Sequence, residues 1–436
     1  MNLNGKKVAV LGCGRSGIGA ARLALAKGAA DVCIFDANPK AVCSDASITC
    51  CAGATEDDAR NYGANLVVLS PGIEADIPWT LAFTAAGAPI IAETELAFCY
   101  YPGRIIAITG TNGKTTTTAL IEHILTSSGR SAIACGNYGF PLSEVVLMDP
   151  VPDFAVLEVS SFQMETIVTF RPEVAIWLNF APDHMDRYRK VEDYYNAKRR
   201  IFENMTADQI AIVRVGENLP GLKPHRIEFS AVSGAGELYY QDGCMMENGH
   251  LLMPLRGTAM EQAHNAENTM AATLACRAVG LDDDTIAKAV HSFNPPGHRC
   301  ETVAEIDGIL WLNDSKSTNL HSTEAAVRSQ TRPVILIAGG KDKGLDYSAI
   351  NPMLEQKARL CIVFGQIADQ LERTFSPVCR TLRCETVDEA VTLAAQNATK
   401  GDVVLFSPGT SSFDQFTGYV QRGNCFREAV RRTLHL

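Results

Sequence analysis

The sequence predicts an α/β protein with parallel sheets, divided into three domains. Three observations carry this reading. Apolar runs of strand length alternate with helical patterns almost throughout, which is the rhythm of βαβ units. Two glycine-rich loops each stand between such a strand and such a helix, where phosphate-binding turns occur. The chain has 436 residues, and at about 150 per domain that suggests roughly three domains. With 46% hydrophobic and 20% charged residues, each can bury a core of its own.

In chain order, Lys7–Leu11 reads as a strand, Ser16–Lys27 has helical spacing, and Asp31–Phe35 and Leu66–Leu69 read as strands. Residues 93–103 read as a helical connector closed by Pro102-Gly103. A second series follows, with strands Arg104–Thr109, Phe154–Val159 and Val174–Asn179 and helices Lys114–Ser127 and Val191–Asn204. From about Val232 to Leu255 the pattern turns to short strands and turns, and a helix follows over Glu261–Val279. Asn294-Pro295-Pro296-Gly297 is the strongest breaker and marks a boundary. A third series carries strands Ile309–Leu312, Val334–Ala338, Leu360–Phe364 and Val403–Phe406. The expected domains are residues 1–93, 94–296 and 297–436.

The formal net charge of −10 argues against a non-specific nucleic-acid binder, which needs net Lys/Arg. No apolar run approaches the roughly 18 residues of a membrane span. The start, MNLNGKKVAVLGCG, reads as a strand rather than a signal peptide. The 14 cysteines include no C-x-x-C pair, which points to free thiols in a reducing compartment.

Five motifs suggest chemistry. Gly110-Thr111-Asn112-Gly113-Lys114-Thr115 lies between a strand and a helix. It is a shortened phosphate loop whose amides and helix N-terminus suit ATP phosphates; Lys114 would reach the β/γ-phosphates and Thr115 the Mg²⁺. Gly12-Cys-Gly14-Arg15-Ser16-Gly17, with Asp36 ending the next strand, is a dinucleotide-type loop, and the same loop can hold any diphosphate, including that of a UDP-sugar. Glu158 ends a strand beside the phosphate loop, where a carboxylate can hold Mg²⁺. Asp183-His184-Met185-Asp186 follows another strand, where α/β sheets place ligands; His184 is either a second metal ligand or a structural hydrogen bonder. Residues 197–202, with Lys198, form a basic helix face. His264 and Asn268 share a helix face. Asn313–Asn319, Gly339–Lys343 and Ser407–Phe416 are three further polar clusters at strand ends, suggesting one substrate-facing edge.

Taken in order, these residues resemble the Mur ligase family, ATP-dependent amino-acid ligases of peptidoglycan assembly. The match runs through the Gly12 loop, Ser70-Pro71-Gly72-Ile73, the phosphate loop, Glu158, Asp183-His184-Met185-Asp186, Lys198, His264-Asn265, His298-Arg299, Asp314-Ser-Lys316 and Ser412-Phe-Asp-Gln-Phe416. The resemblance is strongest to members that add D-glutamate to UDP-N-acetylmuramoyl-L-alanine. It implies an N-terminal Rossmann-like domain, a central P-loop ATPase-like domain and a C-terminal Rossmann-like domain. It also implies a monomer in the bacterial cytoplasm, serving cell-wall biogenesis, cell shape and division, with no nucleic-acid or membrane partner.

The implied roles are as follows. Gly14, Arg15, Ser16, Asp36, Ser70, Gly72 and Asn137 would hold the UDP-sugar. Gly110 to Thr116, Asn268, Arg299 and Asp314 would hold ATP; Thr116 belongs to that set. Thr115, Glu158, His184 and a carbamylated Lys198 would organise two Mg²⁺ sites, with Lys114, Glu158, His184 and Lys198 catalytic. Thr318, Lys343, Ser412 and Tyr419 would receive D-glutamate. The chain departs from the family pattern at Ala37-Asn38, Gln262, Ser317 and the run Pro408-Gly-Thr-Ser-Ser412. Competing readings are the same chemistry with L-glutamate or another amino acid, a dinucleotide-dependent oxidoreductase, which leaves the Gly110–Thr115 loop unexplained, and a catalytically silent nucleotide-sugar sensor, which needs a broken catalytic residue.

Overall fold

The structure is a computed structural model that describes residues 1–436 except 86, 186, 232, 233 and 262; the side chain of His264 is also outside the description. The readings placed on Asp186, on Gln262 and on the His264 side chain therefore lie outside the described residues. The chain forms two compact units, Met1–Phe180 with Glu192–Phe293, and Ala181–Val191 with Asn294–Leu436. The segment Ala181–Val191, from within the expected 94–296 stretch, packs with the second unit.

The first unit carries two sheets. One has five parallel strands in the spatial order Thr49–Ala52, Asp31–Asp36, Lys7–Leu11, Leu66–Leu69, Ile90–Ala92. Its inner strands are apolar and buried on both faces, as a parallel sheet between helices requires. The other has nine strands, ordered His250–Pro254, Cys244–Glu247, Leu238–Gln241, His225–Ser230, Ile210–Arg214, Val174–Trp177, Arg104–Thr109, Phe154–Glu158, Ala132–Gly136. Only the hairpin pairs at the His250–Pro254 end are antiparallel. The short helix Glu93–Phe98 is more than a connector. Its Glu95 carboxylate is buried and accepts the amides of Val168, Thr169 and Phe170, and Glu93 accepts the Ser143 amide at 2.7 Å.

The second unit is built on six strands, ordered Glu301–Ile306, Ile309–Asn313, Val403–Phe406, Val334–Gly339, Ala358–Phe364, Thr381–Arg383. The first pair is antiparallel and the rest are parallel. The three adjacent strands Ile309–Asn313, Val403–Phe406 and Val334–Gly339 bring their three polar clusters to one edge. Among the described residues no helix is long and apolar enough to cross a membrane.

Candidate active site

Two helices of the first unit start from glycine with no side-chain cap among the described residues: Arg15–Ala26 from Gly14 and Lys114–Ser127 from Gly113. Elsewhere Thr55, Asp282, Asn319 and Thr386 cap helices with their side chains. Leaving first-turn amides uncapped suits an anion, because those N–H groups and the helix dipole both point at it.

In the N-terminal loop, a Cβ on Gly17 would come within 1.9 Å of the Gly12 carbonyl oxygen, so the turn closes only around glycine. Asp36 holds this loop from the side. Its Oδ2 accepts the Cys13 amide at 2.8 Å and its Oδ1 the Asn38 amide at 2.9 Å. Ser70 Oγ donates to the Gly12 carbonyl at 3.3 Å. Gly14 and Gly72 have open space where a side chain would be, and Ser16 is half-buried. Arg15 is engaged: its guanidinium pairs with Glu144 at 2.8 Å, donates to the Gly139 carbonyl at 3.1 Å and lies over the Phe140 ring. The sequence reading assigned Arg15 to a diphosphate without foreseeing this carboxylate.

The phosphate loop follows strand Arg104–Thr109 in the middle of its sheet. Asn179, just past the next strand, braces it by accepting the Asn112 amide at 2.9 Å and returning an N–H to the Asn112 carbonyl at 3.2 Å. Lys114 Nζ donates back to the carbonyls of Gly110 and Thr111 at 2.8 and 3.0 Å. Thr115 and Thr116 are buried. Gly113 has φ +84, and a Cβ there would lie 2.3 Å from Asn268 Oδ1. Asn268 also accepts from Thr117 Oγ1 at 3.2 Å, so it packs against this loop. Gly113→Ala is expected to cost about 1–3 kcal/mol of stability through the left-handed backbone and the clash, and to weaken ATP binding. Thermal unfolding with and without ATP measures both.

Glu158 stands beside the loop because its strand pairs Ile108 with Glu158. It is 2% exposed. Oε1 accepts from Asn137 Nδ2 at 2.7 Å, while Oε2 has no hydrogen-bond partner among the described residues. A buried anionic oxygen left so is costly, and a hard cation would satisfy it. Lys198 is 1% exposed; its Nζ donates to the Gly110 carbonyl at 2.9 Å and lies 4.8 Å from the Tyr194 ring centre. Among the described residues no three His, Cys, Asp or Glu side chains gather as a metal cluster. Metal binding at this site therefore needs Thr115, phosphate oxygens or a modified lysine besides Glu158, and that donor set fits Mg²⁺.

In the second unit Asp183 and Lys343 form a buried ion pair. Asn319 Nδ2 donates to Asp183 Oδ2 at 3.0 Å, and Lys343 Nζ also donates to the Thr318 carbonyl at 3.3 Å. Burial alone would raise the Asp183 pKa; the Lys343 ammonium, then His184, outweigh it and hold it below the ordinary value. The sequence reading offered Lys343 to D-glutamate. Two of its three N–H donors are already used here. His184 has φ 58, and its amide donates to Asp183 Oδ1 at 2.8 Å.

Arg299 lies between two residues with left-handed backbone, His298 (φ 64) and Cys300 (φ 45). Such conformations persist only where surroundings enforce them. Asn313 Nδ2 sits 2.9 Å from His298 Nδ1, and Asp314 Oδ1 accepts the Cys300 amide at 3.2 Å. Asp314 Oδ2 accepts from the Ser317 and Ser407 hydroxyls, so Ser317, a departure from the family pattern, has a structural partner. Burial pushes Asp314 from 3.8 up to about 6. An acid with a raised folded value keeps its proton better in the folded chain, so stability falls as pH rises from about 4 to about 6. Asp314→Asn is expected to remove that dependence, on the order of 3 kcal/mol. Urea unfolding of both proteins at pH 4.5 and 7.5 checks it, and should read about two-thirds of that span.

Ser412 is buried and Thr318 half-buried. Tyr419 opens the last helix, Tyr419–Thr433, with Lys316 Nζ 4.0 Å from its ring centre. Arg422, missed by the sequence reading, is fully buried one turn on. It donates to Ser315 Oγ at 3.1 Å, the Ser315 carbonyl at 2.8 Å and the Thr410 carbonyl at 3.0 Å, tying two of the strand-end loops together. Burial lowers it to about 10. In the sequence it looks like any helix arginine; no local signal marks it.

The Mur ligase middle domain matches residues 108–276, and the Mur ligase glutamate ligase domain matches residues 298–409. A relative from Koribacter versatilis, a UDP-N-acetylmuramoylalanine–D-glutamate ligase, is 37% identical over 99% of this chain and 98% of its own. The chain belongs to the Mur ligase family. Another Mur ligase, the enzyme of the same name from Syntrophotalea carbinolica, is 36% identical over 98% of both chains. Among solved Mur ligases, UDP-N-acetylmuramate–alanine ligase from Thermotoga maritima aligns with a TM-score of 0.63 at 17% identity, covering 98% of this chain and all of that one. The MurF ligase of Thermotoga maritima, solved with ADP, aligns at 0.61 and 16% identity, covering 99% and 96%. These two show a shared α/β fold. As a Mur ligase the chain is an ATP-dependent ligase of peptidoglycan precursor synthesis.

Proposed function

We propose that this Mur ligase joins D-glutamate to UDP-N-acetylmuramoyl-L-alanine, consuming ATP. The observation that carries this reading is full-length identity near 36% to ligases of that name, joined to a glycine loop and a phosphate loop that each start a helix with no side-chain cap among the described residues. A carboxylate is a poor electrophile because it lacks a leaving group. Transfer of the ATP γ-phosphoryl group to the L-alanyl carboxylate gives an acyl phosphate and ADP. The amine of D-glutamate then attacks that carbonyl, loses its proton, and phosphate departs from a tetrahedral intermediate. Magnesium, when bound, neutralises crowded phosphate oxygens during transfer.

The chain's own residues divide this work. Gly14, Arg15, Ser16, Ser70, Gly72 and Asn137 hold the UDP-sugar, with Asp36 beside the uridine. Gly110 to Thr116 and Asn268 hold the ATP phosphates. Thr115, Glu158 and a carbamylated Lys198 would hold magnesium. In the second unit, Arg299 and Asp314 serve ATP, and Thr318, Lys343, Ser412 and Tyr419 serve the amino acid, with His184 set by Asp183. The five-stranded order of the N-terminal sheet supports a Rossmann-like nucleotide domain, and three sheets support three domains. A cytoplasmic monomer is what the family resemblance implies. The test is the mass of the product made from UDP-N-acetylmuramoyl-L-alanine, D-glutamate and ATP. A gain of one glutamyl residue, absent without ATP, supports the reading; an unchanged acceptor overturns it.

A further inference from the structure

Three thiols converge beside the nucleotide loop. Cys13 lies inside the Gly12–Gly17 turn, Cys50 on the edge strand Thr49–Ala52, and Cys43 in the segment before it. All three pack against the same hydrophobic cluster, on the side of the sheet covered by helix Arg15–Ala26. All three are half-buried rather than sealed. The Cys50 and Cys13 sulfurs are 3.7 Å apart, across 37 residues of chain. Cys43 Sγ instead faces the Asp45 carbonyl at 3.4 Å. No role described above uses any of them.

We propose that Cys13 and Cys50 form a reversible thiol–disulfide site that controls the nucleotide-sugar loop. A small-molecule disulfide is the oxidant. One of the two thiols attacks it, forming a mixed disulfide and releasing one small thiol. The second thiol then displaces the other, so the Cys13–Cys50 bond forms and two small thiols carry away the electrons and protons. Bonding draws the sulfurs from 3.7 Å to about 2.05 Å. The loop has little slack for that, because the Cys13 amide is held by Asp36 and the Gly12 amide by the Phe35 carbonyl at 2.8 Å. The displacement falls one residue before Gly14. Burial, with Cys50 and Cys43 nearby, pushes Cys13 up to about 12, so ring closure is slow near neutrality and the site is read at equilibrium.

The effect on the loop rests on the proposed binding of the UDP-sugar there; the disulfide itself does not. The full chain is equilibrated at neutral pH in glutathione buffers from fully reduced to fully oxidised, then alkylated, digested and mapped by mass spectrometry. A Cys13–Cys50 cross-link is expected in the oxidised samples, reversed by dithiothreitol. The same samples should show KM for UDP-N-acetylmuramoyl-L-alanine raised about tenfold, with KM for ATP little changed. Cys50→Ser should abolish both effects and Cys43→Ser neither. Free Cys13 and Cys50 in fully oxidised buffer, a Cys13–Cys43 link instead, or a cross-link with unchanged KM would each overturn the proposal. If the reduced enzyme turns over no UDP-N-acetylmuramoyl-L-alanine, the functional reading fails, while the peptide map still decides the thiol site.

Discussion

Lys198→Ala is expected to lower kcat at least about a hundredfold, and short carboxylic acids are expected to restore part of it. The reason lies in charge. An ammonium is the wrong sign beside a magnesium site, and Lys198 is buried against the Gly110 carbonyl at 2.9 Å. When the neutral amine adds to CO₂, an N–C bond forms, a proton leaves, and the residue becomes an anionic oxygen ligand suited to a hard cation. Bicarbonate should then raise the activity of wild-type enzyme depleted of CO₂. A purely structural lysine would give a different pattern: loss in the alanine variant that acetate or propionate does not rescue. Wild-type kcat in the folded alanine variant would remove the carbamate role altogether.

Glu158→Gln is expected to lose about 10²–10³-fold in kcat while stability holds or rises by about 1 kcal/mol. Oε2 of Glu158 is buried with no partner among the described residues, so only one oxygen of this carboxylate is satisfied there. The amide keeps the acceptor that Asn137 uses at 2.7 Å and removes the charge. Activity and stability should therefore move in opposite directions, read as kcat against urea midpoint. A parallel fall in both would mean that Glu158 is a structural carboxylate.

Much of the fold was legible because inner strands of parallel sheets are apolar and rich in β-branched residues. Lys7–Leu11, Arg104–Thr109 and Val403–Phe406 have those bounds in the structure, as does helix Lys114–Ser127. The strands Thr49–Ala52 and Thr381–Arg383 passed unread. They lie at sheet edges, so few of their residues need be apolar. The run Val174–Asn179 was read two residues too long, since the strand ends at Trp177 and Asn179 turns to brace the phosphate loop. Site residues carried by glycine spacing or strand ends were visible in order. Their partners were not: Glu144 for Arg15, Asp183 for Lys343, and Ser315 with Thr410 for Arg422 are 129, 160, 107 and 12 residues away, and no local pattern encodes such pairings.

The measurement that tests the account most directly is phosphate release from ATP in the presence of UDP-N-acetylmuramoyl-L-alanine and one amino acid at a time: D-glutamate, L-glutamate, D-aspartate, L-lysine or meso-diaminopimelate. Release with D-glutamate alone is the predicted result. Release with a different amino acid would keep the ligase chemistry but contradict the amino-acid specificity proposed for Ser412 and Lys343. No release with any of the five, from folded protein that binds ATP, would contradict the central claim.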